Sequence, residues 1–263
     1  MNTSASHSQE AADARTVDQA IGMIHSRLHR EAIHALREVT ERTPTKYQRI
    51  EAEDDGLNIR FWDQEEFLAY VAYHRGRPTE QSIRWIPAAY PRAWFFLGFI
   101  YVHLRESTRA LDALNRGLAL EPDQPRLLCE KGQVLATLRD FSSALELYRR
   151  AETGRPETSP LQRAMALRGQ GFQLIELGDL EAAEECFNRS LELDPKSELA
   201  RDELKYIAHL RSGGSAAPAA QTVTLPGQGT LCTVCGQPVQ DGRMMELQGR
   251  PQFVCTRCAA RNN

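Results

Sequence analysis

The chain has 263 residues, 41% hydrophobic and 25% charged, with a formal net charge of -3. That near-balance excludes a global attraction to nucleic acid or to an acidic membrane surface, so any such binding must come from a local patch. No run of about 18 apolar residues exists, which excludes a membrane-spanning helix, and the length allows one large domain or two modest ones with an appendage.

The opening MNTSASHSQEAADARTVDQA lacks the basic-then-apolar order of a signal peptide. Residues 1–14 read as a flexible polar arm of a cytoplasmic protein. From there to residue 42, apolar side chains recur at Val17, Ile21, Ile24, Leu28, Ala32, Ala35 and Val39. Steps of three and four predict one amphipathic helix over 15–42, which could pair with a second copy of itself or pack on its own chain. His25 and His29 sit one turn apart on it, a spacing that holds a metal only if a third ligand approaches. Around Asp55-Gly56 the pattern predicts a β-hairpin. Asp63 followed by Glu66 matches a capping box opening the helix EEFLAYVAYHR. RWIPAAYP, with two prolines, marks a junction, and no phosphate loop, nucleophile elbow or paired carboxylate motif occurs in residues 15–90.

From Pro91 the text repeats. Trp94, Leu97, Gly98 and Tyr101 fall as W-x-x-L-G-x-x-Y, followed by Ala110, Leu114 and Pro122. A shift of 34 residues gives Gly132, Ala144, Tyr148 and Pro156; a third copy, after a five-residue insertion, gives Gly171, Ala183, Phe187 and Pro195. Glycine where two helices cross allows close backbone approach, alanine keeps the facing surface small, and the large residue fills the gap between copies. Each proline ends its copy. Such units cannot bury their apolar faces alone, and SELARDELKYIAHLR supplies the cap that a stack requires.

These residues resemble the tetratricopeptide repeat (TPR) family over residues 91–211, with copies at 91–124, 125–158 and 164–197 and a capping helix. The resemblance implies a mainly α protein, a helical solenoid whose first helices line a concave groove that binds a peptide or protein segment. Carrying the inward offsets across points to Arg92, Phe95, Phe99, Arg126, Gln133, Arg168 and Phe172. Arginine offers a planar fork for carboxylates and phenylalanine an apolar pocket, so the expected partner carries acidic and large apolar residues. The alternative is that some of these phenylalanines pack on the N-terminal region as core. Cys129 and Cys186 have no adjacent histidine and read as small buried apolar residues rather than nucleophiles.

Residues 212–229 are rich in Gly, Ala, Ser and Pro and read as a flexible linker. Residues 230–263 are too few to fold by core burial alone. They carry Cys232, Cys235, Cys255 and Cys258 as C-x2-C-x19-C-x2-C, a spacing for one zinc ion. Clustered pairs favour metal in a reducing compartment over disulfides. The segment resembles a zinc ribbon or treble-clef finger, its short strands MMEL and QFV bringing the two pairs together. Four thiolates leave no open position, so the zinc is structural. Met244, Met245 and Leu247 suit a protein contact, whereas Arg243, Arg250, Arg257 and Arg261 suit nucleic acid.

The sequence therefore predicts a non-enzymatic adaptor, the groove binding protein and the finger making a second contact. The alternative is a nucleic-acid-associated regulator whose finger contacts DNA or RNA while the repeats recruit protein.

Overall fold

A computed structural model describes residues 3–54, 56–75 and 82–214, and four strand segments beyond them, 230–231, 238–239, 242–247 and 250–255. The chain divides into two units, Met1–Gly213 and Gly214–Asn263. Among the described residues no helix is long and apolar enough to cross a membrane.

The first unit opens with α1 (Thr3–His25) and α2 (His29–Glu41), packed as a hairpin. The structure corrects two expectations here. The polar arm over 1–14 is helical from Thr3, and Glu10, Asp13 and Ala14 are buried. Its acids have arginine partners elsewhere in the chain: Arg60 Nε donates to Glu10 Oε2 at 2.8 Å, and Arg42 Nη2 to Asp13 Oδ1 at 2.7 Å. Polarity that resembles solvation in the sequence is internal pairing in the fold. The single helix over 15–42 is broken at Arg27, whose φ is +61°. The apolar stripe runs on because the two helices turn the same kind of face toward each other. Val17, Ala32 and Val39 are fully buried, so most of the stripe packs on its own chain, while Leu28 in the turn stays 47% exposed. The break also ends the helical spacing of His25 and His29.

Next come β1 (Ile50–Glu53) and β2 (Gly56–Phe61), antiparallel, with Glu53 opposite Gly56. A helix, α3 (Gln64–His74), then crosses to β3 (Ser82–Pro87), which runs parallel to β2 with Ile59 opposite Trp85. Asp63 caps α3, its Oδ1 accepting from Glu66 N at 3.0 Å. On one sheet face Ile59 and Phe61 pack under Phe67 and Tyr70 of α3; on the other, Arg60 reaches α1.

The repeats follow as α4 (Tyr90–His103) with α5 (Ser107–Leu120), α6 (Pro125–Thr137) with α7 (Phe141–Thr153), and α8 (Pro160–Glu176) with α9 (Leu180–Leu193); α10 (Glu198–Arg211) closes the stack. The glycines sit where proposed contacts are tight. A Cβ on Gly98 would lie 2.7 Å from the Leu114 side chain, and one on Gly171 2.6 Å from Phe187. Asp140, Ser159 and Asp179 accept from backbone N–H groups to start α7, α8 and α9.

The hairpin α1–α2 is a fourth copy that the sequence pattern hides. Shifted by 78 residues, Ala20, Ala32, Leu36 and Pro44 take the places of Gly98, Ala110, Leu114 and Pro122. Its turn bonds likewise: Arg27 N donates to Ile24 O and Leu28 N to Met23 O, as Arg105 N does to Val102 O and Glu106 N to Tyr101 O. Ala20, Ala32 and Leu36 are fully buried, and α2 packs on α4. The three-stranded sheet is thus an insertion between the first and second hairpins of a four-hairpin stack.

In the second unit, β4 (Thr230–Leu231) pairs antiparallel with β5 (Pro238–Val239), and β6 (Gly242–Leu247) with β7 (Arg250–Cys255).

Candidate protein-binding groove

The inner face is built from the first helices of the repeats. Arg92 and Arg126 occupy equivalent positions on α4 and α6, and Met165 takes that position on α8. Arg168 lies three residues further on. None of the three arginines waits for a partner's carboxylate. Arg92 is 8% exposed and its Nη2 donates to Asp18 Oδ1 at 2.5 Å. Arg126 Nη2 lies 2.5 Å from Asp63 Oδ2 and 3.7 Å from Glu65 Oε2. Arg168 Nη1 donates to Asp194 Oδ2 at 3.1 Å. The expected carboxylate fork is occupied from within the chain.

The apolar positions divide in the same way. Phe95 meets the Trp62 ring edge-on at 5.5 Å, and Trp62 is only 4% exposed. Phe99 stacks against Phe95 and lies tilted against His103, its ring 4.2 Å from the imidazole. Phe172 packs edge-on to Phe187 at 5.4 Å. Gln133 is half-buried. The segment Trp62-Asp63-Gln64-Glu65-Glu66 thus lies on α4 and α6 with the chemistry expected of a bound peptide: an aromatic ring on Phe95 and carboxylates on Arg126. On α8, by contrast, Met165 is 50% and Leu161 49% exposed.

A buried polar network fixes the insertion in place. Arg155, in the connection between α7 and α8, donates Nη1 to Glu66 Oε1 at 2.9 Å and Nη2 to Glu121 Oε2. Glu121 Oε1 also accepts from Tyr47 Oη at 3.1 Å and Trp62 Nε1 at 3.2 Å. Arg49 Nη1 donates to Glu157 Oε1 at 2.6 Å, and Ser159 Oγ to Glu65 Oε1. Burial, reinforced by the Glu121 charge, holds the Glu66 carboxyl above the usual carboxylate range despite Arg155 and Arg49. The same burial, with the nearby Glu121 charge, pushes the Tyr47 hydroxyl well up.

Glu66 is legible only as part of a helix cap, and Trp62, Glu121 and Arg155 belong to no motif, yet a signal for the last two exists. Glu121, Arg155 and Asp194 each directly precede the proline that ends a repeat, so one repeat position carries alternating charge. In the structure all three are in ion pairs. Cys129 is a free thiol pushed up to about 12 by burial, with the Glu130 charge adding to it, which leaves it a poor nucleophile. Burial also raises Glu130, to about 7.

Of the expected zinc ligands, Cys232, Cys235 and Cys258 lie outside the described residues. Cys255 ends β7, its backbone paired with Gly242. In sequence the first cysteine pair falls between β4 and β5, and the second at and after the end of β7.

Comparison with known proteins agrees with the repeat geometry. Profiles described as tetratricopeptide repeat match residues 100–160 and residues 164–197. No curated protein matches the chain. Among solved structures, PilF of Pseudomonas aeruginosa is similar at 13% identity over 79% of this chain and 72% of that one, with a TM-score of 0.56. PilW, described as a widely conserved type IV pilus biogenesis factor, is similar at 15% identity over 76% and 70%, with a TM-score of 0.53. The Cut9–Hcn1 hetero-tetramer structure is similar at 15% identity over 75% and 30%, with a TM-score of 0.52. The helical stack therefore carries tetratricopeptide repeats, a fold that typically serves as a non-enzymatic interaction scaffold and whose general role is protein–protein contact.

Proposed function

We propose that the chain is a non-enzymatic adaptor of a reducing, cytoplasmic compartment, binding a protein segment on the third repeat and cap. The observation that carries this reading is the contrast along the inner face. Equivalent positions on α4 and α6 hold arginines already paired within the chain, whereas on α8 Met165 and Leu161 are half exposed. A partner therefore meets apolar surface here, with Phe172 and Arg168 beside it, rather than the arginine-lined groove expected for the whole stack. Methionine adapts its shape to a partner at little cost.

Substituting Met165→Glu puts a charge in that surface without touching the core. Capture of the bound protein from a lysate is expected to fall at least tenfold while the thermal unfolding temperature is unchanged. Undiminished capture would count against the reading.

The second contact of the adaptor is the C-terminal finger, held by one structural zinc on Cys232, Cys235, Cys255 and Cys258. The paired strands on either side of the first cysteine pair, and the strand ending on Cys255, are consistent with a thiolate set closed by such turns. Bound zinc would supply folding energy to a segment too small for a core of its own. Elemental analysis of the full chain is expected to give one zinc per molecule, and Cys255→Ser to lose it. A metal-free wild-type chain would refute this part.

A further inference from the structure

The four hairpin turns at the end of the stack away from the sheet form an edge with an uneven charge. The turns are α1–α2, α4–α5, α6–α7 and α8–α9. Because α1, α4, α6 and α8 pack side by side in order, their C-terminal ends stand in a row. The sheet insertion contacts Arg126, Glu121, Arg155 and Ser159, at the other end of the hairpins, away from this edge.

Each turn exposes a leucine: Leu28 by 47%, Leu104 by 43%, Leu138 by 52% and Leu177 by 46%. Each also has one residue in the left-handed backbone region. In the last turn it is Gly178, at φ +84°, the residue suited to it. In the other three it is Arg27, Arg105 and Arg139, at φ +61°, +59° and +63°, an unfavoured conformation for a residue with a Cβ. All three arginines are exposed, and among the described residues Arg27, Arg30 and Arg105 make no ion pair. The last turn carries the opposite sign, with Glu176, Asp179 and Glu181 exposed. Glu31 stands beside Arg30 on the first turn, and Glu106, held by Arg109, beside Arg105 on the second, so each of these turns keeps one net positive charge; the fourth carries three negative charges, and Arg139 and Asp140 balance between them.

We infer that this edge is a two-fold interface between two copies of the chain, running antiparallel. A two-fold contact uses the same patch twice, so the patch must be complementary to its own reverse. This one is. Reversed, the first turn with Arg27 and Arg30 faces the partner's Glu176, Asp179 and Glu181, and Arg105 faces the partner's Asp140. The leucines then oppose one another, Leu28 with the partner's Leu177 and Leu104 with the partner's Leu138. A polyanion such as nucleic acid, or an acidic membrane, would be attracted at one end of the edge and repelled at the other. With helices about 10 Å apart the edge is on the order of 30 Å long. That places it at the small end of specific interfaces, and exposed charge pairs make its affinity sensitive to salt.

The test is sedimentation equilibrium on the full chain, in about 50 mM and about 500 mM salt. The wild type is expected to dimerise, with an affinity at least tenfold weaker in high salt. The charge-reversed variant Arg27→Glu/Arg30→Glu is expected to be monomeric, as is Glu176→Arg/Asp179→Arg/Glu181→Arg. Mixed in equal amounts, the two are expected to form a mixed dimer, because each again presents a complementary pair of patches; this result also shows that both variants fold. A wild type monomeric at low salt, or either variant dimerising alone as well as the wild type, would overturn the inference. So would two monomeric variants that fail to associate when mixed.

Discussion

Arg92, Arg126 and Met165 stand at the same position of three successive repeats, and the fold treats them differently. Arg92 is buried against Asp18 of the first hairpin, and Arg126 is held by Asp63 and Glu65 of the inserted segment. Met165 is half exposed. What separates them is the chain that comes before α4: the first hairpin supplies Asp18 to Arg92, and the insertion between α2 and α4 lays an aromatic and acidic segment across Phe95 and Arg126. A repeat position therefore defines where a side chain points, while the partner it meets depends on what the rest of the chain brings there. The early repeats use their inner face as core, and the third keeps its own open.

The sharpest way to break that contrast is to remove Arg155. It is buried between Glu66 and Glu121, so Arg155→Ala leaves Glu121 without its arginine and Glu66 with Arg49 alone, at 3.5 Å. The expected loss is about 3–5 kcal/mol in denaturant unfolding, the usual cost of breaking a buried pair from one side. An effect below about 1 kcal/mol, the ordinary value of an exposed pair, would mean that the insertion is only loosely attached.

A smaller effect is expected at Glu130. Its carboxyl is raised from 4.5 to about 7 by burial alone. The folded state therefore binds a proton that the unfolded state releases in this range. Stability from this group is present below about pH 4.5 and declines as pH rises through 7. Glu130→Gln is expected to stabilise the chain at pH 8 by about 1–3 kcal/mol, discounted for its partial exposure, and to have little effect at pH 4. Equal stabilisation at both pH values would show that the carboxyl is not desolvated.

The parts of this fold that were legible in the sequence are those where backbone geometry restricts the residue type. Gly98, Gly132 and Gly171 admit a close neighbouring side chain, and the prolines at 122, 156 and 195 end their repeats, so three hairpins stand out. The first hairpin has Ala20 in place of the glycine and is separated from the others by the insertion, which hides both the motif and the spacing. Arg27 hides the break between α1 and α2 for a related reason: nothing in an arginine announces a left-handed residue, whereas Gly178 does. Parallel pairing of β3 with β2 depends on a crossover through α3, a long-range arrangement that local alternation cannot report. The inner-face positions were legible as positions, but the occupants were not. Asp63 and Glu66 read as a helix cap; Asp63 caps α3, while the Glu66 carboxylate accepts from Trp62 N and Arg155, and the same carboxyl of Asp63 that caps α3 with one oxygen holds Arg126 with the other.

The contrast between the early repeats and the third requires the insertion to be a permanent part of the repeat stack and not a displaceable occupant of its groove. Native-state amide hydrogen exchange resolved along the chain tests this most directly. Amides of β2 and α3 are expected to exchange within about tenfold of the rates in α4 and α6, because Glu66, Arg155 and Glu121 make them one cooperative unit. Exchange of β2 and α3 several hundredfold faster than α4 and α6 would contradict it, and would show that the early groove opens for a partner.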